Sequence, residues 1–152
     1  MKAWTRLGSV ALLSLTAVAA AHADAPAARD AWARATPPGS DVAAVYVALT
    51  GGPAADRLTG ASTARASMVH LHSMQESDGM ARMRGVDGVD VPAGRTVVLA
   101  PGGVHLMLMG LKGPLVTGER FALTLRFASG GERVVEVSVQ SPTAPPPRTS
   151  GP

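Results

Sequence analysis

No cysteine occurs among the 152 residues. That absence excludes disulfide frameworks, thiolate zinc sites, iron–sulfur clusters, thiol nucleophiles and any metal centre that needs a thiolate ligand. Aromatic residues make up only 3% of the chain, too few for the stacking platforms that hold single-stranded nucleic acids. Charged residues are 16% and apolar residues 46%, a balance that permits a packed core and does not match a disordered chain. The length is that of one domain. No Gly-x-Ser-x-Gly elbow and no carboxylate pair stands out, so no enzymatic activity is expected.

The N-terminal segment reads as a secretion signal over residues 1–23. Lys2 and Arg6 precede an apolar stretch from Leu7 to Ala20, and Ala21-His22-Ala23 places small residues at the two recognition positions of a cleavage site. The apolar run is short of the roughly 20 residues that a membrane span needs, and a lipid anchor would need a cysteine at the cleavage point. The expected mature chain starts near Asp24, is exported to the periplasm and has no membrane span. Removing the signal takes Lys2 and Arg6 away, so the +3 net charge of the whole chain falls to near balance. No nucleic-acid partner is indicated.

Beyond the signal, short β-leaning runs alternate with turn residues. Val42–Leu49, Asp56–Ser62, Ser67–Met74, Met80–Val86, Arg95–Leu99, Val104–Met109, Arg120–Phe127 and Glu132–Val139 are candidate strands, separated by Gly-, Pro- and Asp-rich segments. Glu76-Ser77-Asp78-Gly79 is expected to be a turn, and Ser129-Gly130-Gly131 to close a hairpin. No mature segment keeps a helical hydrophobic period for a normal helix length. Seven to nine strands at this spacing predict an all-β fold, an antiparallel β-sandwich or small Greek-key barrel, over residues 24–140. Residues 141–152 form a Pro-rich tail expected to be disordered.

The histidines and methionines are not scattered. Apart from Met1 and His22, every methionine and every histidine lies between Met68 and Met109. Gap-filling methionine is needed throughout a core, so packing alone does not explain this confinement. Met68, His70, His72 and Met74 occupy alternate positions and share one strand face; His105, Met107 and Met109 do the same on another. Imidazole and thioether groups on adjacent strands can converge on one ion. Thioether sulfur is a poor ligand for Mg²⁺, Ca²⁺ or Zn²⁺ and a good one for Cu(I), and a neutral ligand set favours the monovalent ion. A blue-copper electron-transfer centre would need a cysteine. Spacing points to His72, His105 and Met107, and leaves Met74, Met80, Met83 and Met109 open as the remaining ligand. Arg82 and Arg84 alternate with Met83 and should face away from it, while Trp32 and Tyr46, each in an expected strand among small apolar neighbours, read as core anchors.

His72-Ser-Met74, then Met83 eleven positions after His72, then His105-Leu-Met107 twenty-two positions after Met83, resembles the His–Met signature of periplasmic copper chaperones of the PCu(A)C type. Ala31-Trp-Ala-Arg34, Ala43-Ala-Val-Tyr46, Asp56-Arg-Leu58, Val86-Asp-Gly88 and Pro101-Gly-Gly103 are similar to that family in the same order, from about Asp30 to Val139. The resemblance implies a cupredoxin-like, Ig-like β-sandwich that binds one Cu(I) per chain through His72, Met83, His105 and Met107. It further implies delivery to the CuA domain of cytochrome c oxidase subunit II, sometimes with a thioredoxin-like copper chaperone as partner. A periplasmic copper buffer or resistance protein is the alternative. His70 stands where an acidic residue is usual in the family; with Met74 and Met109 it is a candidate auxiliary ligand. The tail has neither His nor Met, so no Cu(II) site is expected there.

Overall fold

The structure, a computed structural model, describes residues 25–148. The expected signal, residues 1–23, lies outside the described residues, as does the end of the tail. Ten strands follow one another: β1 (Ala27–Arg34), β2 (Val42–Thr50), β3 (Asp56–Ser62), β4 (Ala66–Ser77), β5 (Met80–Gly85), β6 (Val89–Val91), β7 (Thr96–Leu99), β8 (Val104–Leu111), β9 (Arg120–Phe127) and β10 (Glu132–Gln140). The all-β class is as expected. The strand expected around Trp32 is β1, and the three-residue β6 goes beyond the candidates. Among the described residues no helix is long and apolar enough to cross a membrane.

Hydrogen bonding links the strands in the order β5-β4-β8-β2-β1-β10-β9-β3-β6, with β7 also paired to β2. All pairs are antiparallel except β1 with β10. A register shift in β1 between Arg29 and Trp32, where Asp30 adopts φ 53°, lets the strand bend. Its first half pairs only with β2; from Trp32 onward it pairs with β2 and β10 together, and so joins the two halves of the path. Val45, Leu71, Leu106 and Leu108 of the first half and Leu58, Leu123, Leu125 and Val137 of the second belong to one buried cluster. The sheet therefore folds over on itself as a sandwich around a single core.

Alternation decides which side chains face that core. On β8, Leu106 and Leu108 are buried in the cluster, so His105, Met107 and Met109 lie on the outer face. On β4, Leu71 points inward and His70 and His72 outward. The outer face of the β4–β8–β2 half carries the histidines and methionines, while the aliphatic residues of the same strands hold the fold together.

The β4–β5 connection is tighter than the sequence pattern suggested. β4 continues to Ser77, which pairs with Met80, leaving only Asp78 and Gly79 as the loop. Both have positive φ, 55° and 72°, the conformation of a type I′ turn, whose twist suits a two-residue hairpin. In the tail, residues 141–148 form no strand; the Ala144 amide donates to the Ser141 carbonyl and Arg34 donates to the Ala144 carbonyl.

Candidate metal centre

The ladder between β4 and β8 sets His72 directly opposite His105, His70 opposite Met107 and Met68 opposite Met109. On the other side of β4, Met74 faces Met83 and His72 faces Gly85. Opposed residues of an antiparallel pair share a face, with Cβ atoms about 4.5–5.5 Å apart. All seven residues singled out in the sequence thus lie on one face of three neighbouring strands. His72 is at the middle: His105 stands across from it on β8, Met107 on one diagonal, and Met83 on the diagonal towards β5.

Gly85 faces His72 across the β4–β5 ladder. A Cβ there would meet nothing within 4 Å, so open space lies beside His72 on the β5 side. The Met83 side chain reaches to His72, where its Sδ comes within 3.1 Å of His72 Nδ1. The rings of His72 and His105 stand edge to face with centroids 6.0 Å apart. Since an imidazole nitrogen binds a metal at about 2.0–2.1 Å, that gap admits one ion between the two rings. His70 is one step further, its ring centroid 6.3 Å from that of His72.

His105 is the one buried polar side chain among the described residues, only 5% exposed. Its Nδ1 lies 3.2 Å from the Gly103 carbonyl oxygen, a position that suits an N–H donor. That bond fixes the tautomer and leaves the Nε2 lone pair free for a metal. Behind it, the rings of Tyr46 and His105 are 6.3 Å apart, and those of Tyr46 and Trp32 4.6 Å. Trp32 is buried as expected, yet neither it nor Tyr46 belongs to the inner core cluster. They form an aromatic wall on the outer face that packs against His105. Burial raises the Tyr46 hydroxyl above its ordinary pKa, with Arg34 opposing the effect, so the ring stays neutral beside the histidine. Alternation could have found this support, because Ala44 and Tyr46 interleave with the inward Val45 and Val47.

The electrostatics suit neutral ligands. Burial lowers the pKa of His72, and the neighbouring His105 and His70 lower it further. Among the described residues no three His, Cys, Asp or Glu side chains gather closely enough to hold an ion, and the side chains that stand beside the two histidines on this face are thioethers. Met83 is 48% exposed while His105 is buried, giving the site a closed floor and an open rim. Arg82 and Arg84 pair with Gln75 and Ser73 and so point to the opposite face from Met83, as alternation required. Met80, opposite Ser77, is also on that far face and away from the histidines. A cavity of about 450 Å³ lined by Asp56, Asp90 and Ser129 contains none of these ligand candidates.

Residues 27–139 match the family described as "Putative lipoprotein LpqE-like". The chain belongs to the LpqE-like family. A relative from Leifsonia xyli subsp. xyli (strain CTCB07), "Putative lipoprotein Lxx21020", is 40% identical over 120 residues, 78% of this chain and 72% of that protein. Among solved structures, the copper-bound PCuAC domain from PmoF2 is similar with a TM-score of 0.64 and 26% identity, over 76% of this chain and 92% of that one. The Cu(I) form of DR1885 from Deinococcus radiodurans is similar with a TM-score of 0.60 and 36% identity, over 74% of this chain and 76% of that one. This LpqE-like chain therefore has the fold of PCuAC copper chaperone domains.

Proposed function

We propose that this protein is a Cu(I) chaperone of the periplasm, holding one ion through His72, Met83, His105 and Met107 and passing it to the CuA domain of cytochrome c oxidase subunit II. The observation that carries the reading is the meeting of His72 Nδ1 with Met83 Sδ at 3.1 Å, with His105 directly across the ladder. Three strands bring together two imidazoles and the thioethers that a soft, monovalent ion prefers. The copper named in the PmoF2 and DR1885 structures supports the choice of metal. The relatives' description as lipoproteins is in keeping with export, although the 152 residues contain no cysteine to carry lipid.

Binding involves no covalent step. His105 Nε2, oriented by the Gly103 carbonyl, supplies the fixed ligand at the floor. His72 adds a second neutral nitrogen, and the exposed Met83 closes over the ion from the β5 side. Transfer follows from the same asymmetry. Met83 is the ligand an approaching protein reaches first, and its flexible side chain can be displaced by an incoming cysteine thiolate while His105 still holds the ion. A site without thiolates yields Cu(I) to one that has them.

The test is transfer under anaerobic conditions. Mature protein loaded with one Cu(I) equivalent, mixed with an apo CuA domain, should lose its copper to that domain. A thioredoxin-like chaperone, added as reductant and partner, should speed the exchange if it acts in the same step. Retention of copper in the presence of the cysteine-bearing acceptor would leave storage as the function, and loss of the ion to buffer alone would remove both readings.

A further inference from the structure

The proposed ion occupies only part of the outer face. Beyond it, the next rungs of the β4–β8 ladder are His70 opposite Met107 and Met68 opposite Met109. Met68 is 55% exposed and His70 is exposed as well, with Met109 half-buried beside them. A methionine usually fills gaps in a core; here two stand directly opposed at the surface, one rung from an exposed imidazole. Met109 also pairs with Val42 of β2, so it has a neighbouring strand on each side that fixes its backbone position.

We propose that Met68, His70 and Met109 form a second Cu(I) site, adjacent to the first and not sharing its four ligands. The opposed thioethers have Cβ atoms about 4.5–5.5 Å apart, and His70 is two residues along the same face from Met68, about 6–7 Å. Long, flexible Met side chains span such distances to a common ion. All three ligands are neutral, so the site discriminates for a soft monovalent metal on the same grounds as the first. Its ligands are more exposed than His105, and an ion already bound beside His72 repels a second one. The second equivalent therefore binds about tenfold or more weakly than the first. The two sites are close, with the His70 and His72 ring centroids 6.3 Å apart.

Anaerobic titration of the mature protein with Cu(I), followed by NMR of ¹³C-methyl-labelled methionines and by competition with a chromogenic Cu(I) chelator, tests the proposal. The first equivalent should shift the Met83 and Met107 methyls, and the second those of Met68 and Met109. The double variant Met68→Leu/Met109→Leu, a volume-conserving change at the surface, should stop at one equivalent and keep the affinity of the first. His70→Ala should weaken the second step and spare the first. Saturation of the wild-type protein at one equivalent, or a second equivalent that persists unchanged in the double variant, would overturn the second site. Shifts at Met68 and Met109 without any at Met83 and Met107 would uphold it and instead contradict the four-ligand assignment above.

Discussion

At the scale of single residues, the two ends of the site meet different demands. His105 is buried, its tautomer set by the Gly103 carbonyl and its ring backed by Tyr46; it is a ligand that does not have to search for its position. Met83 is half-exposed, and Gly85, two residues along the same strand face, leaves open space beside His72. Replacing Gly85 with Leu fills that space without a positive-φ penalty, and should weaken Cu(I) binding by about tenfold, some 1.4 kcal/mol, while the thermal midpoint of the apo-protein stays within a few degrees of wild type. A chelator competition paired with a melting curve checks both halves. His72 links binding to pH. Burial and the neighbouring histidines lower its pKa, so the unfolded chain, where the value is about 6.5, binds its proton more readily than the folded one. The stability of the apo-protein should thus be full above about pH 6.5 and decline as pH falls towards the lower folded value. Cu(I) affinity should fall over the same range, because a ligand imidazole must be neutral. Equal affinities at pH 7 and pH 5 would contradict histidine ligation.

At the scale of elements, strand alternation makes most of the face legible from the sequence. His70, His72, His105 and Met107 needed only a period of two. The choice of Met83 did not follow from spacing, because it depends on the β4–β5 register. That register is set by the Asp78–Gly79 turn: pairing Ser77 with Met80 puts Met74 opposite Met83. Reading the turn as the two residues Asp-Gly, the strongest short hairpin signal, in place of four residues from Glu76 places Met83 on the histidine face and Met80 on the other. Of β1 only the part around Trp32 was legible as a strand, because the bulge at Arg29-Asp30 interrupts alternation before it, and β6 was hidden by having only three residues. Gly79→Ala places a Cβ at φ 72°, a cost of roughly 1–2 kcal/mol per residue. Since all of β5 is exposed, the loss should appear as faster amide exchange confined to β4–β5 and as weaker Cu(I) binding, with the core strands unchanged. At the far end, burial would raise the Asp56 carboxyl, but the Ser129 hydroxyl and the backbone amides of Arg57 and Ser129 donate to it and bring its pKa below the ordinary value. Ser129→Ala should lower the melting temperature at neutral pH. The deficit should vanish as pH falls below the folded Asp56 value, when the carboxylate is protonated in both proteins.

At the scale of the whole molecule, one sheet folded over itself separates two tasks on the two sides of the same strands. Inward residues such as Leu106 belong to the core; their outward neighbours His105 and Met107 belong to the site. Leu106→Ala should cost about 2–5 kcal/mol of stability, read from a denaturant midpoint, whereas Met107→Leu on the outer face should leave that midpoint nearly unchanged and lower Cu(I) affinity. Bound Cu(I) should raise the melting temperature of the wild-type protein by mass action, since the unfolded chain does not preserve the four-ligand geometry. How the strands fold over to make one core was not legible from the sequence, because it depends on β1 joining β2 to β10 across a bulge that no short-range signal announces. In the proposed site two imidazoles and two thioethers hold one Cu(I). X-ray absorption at the copper edge, on protein loaded with one Cu(I) equivalent, tests it most directly. The spectrum should show both nitrogen at about 2.0–2.1 Å and sulfur at about 2.3 Å, by analogy with zinc distances, with the sulfur shell lost in Met83→Leu/Met107→Leu. A first shell of nitrogen and oxygen alone, or a sulfur shell intact in that double variant, would contradict it.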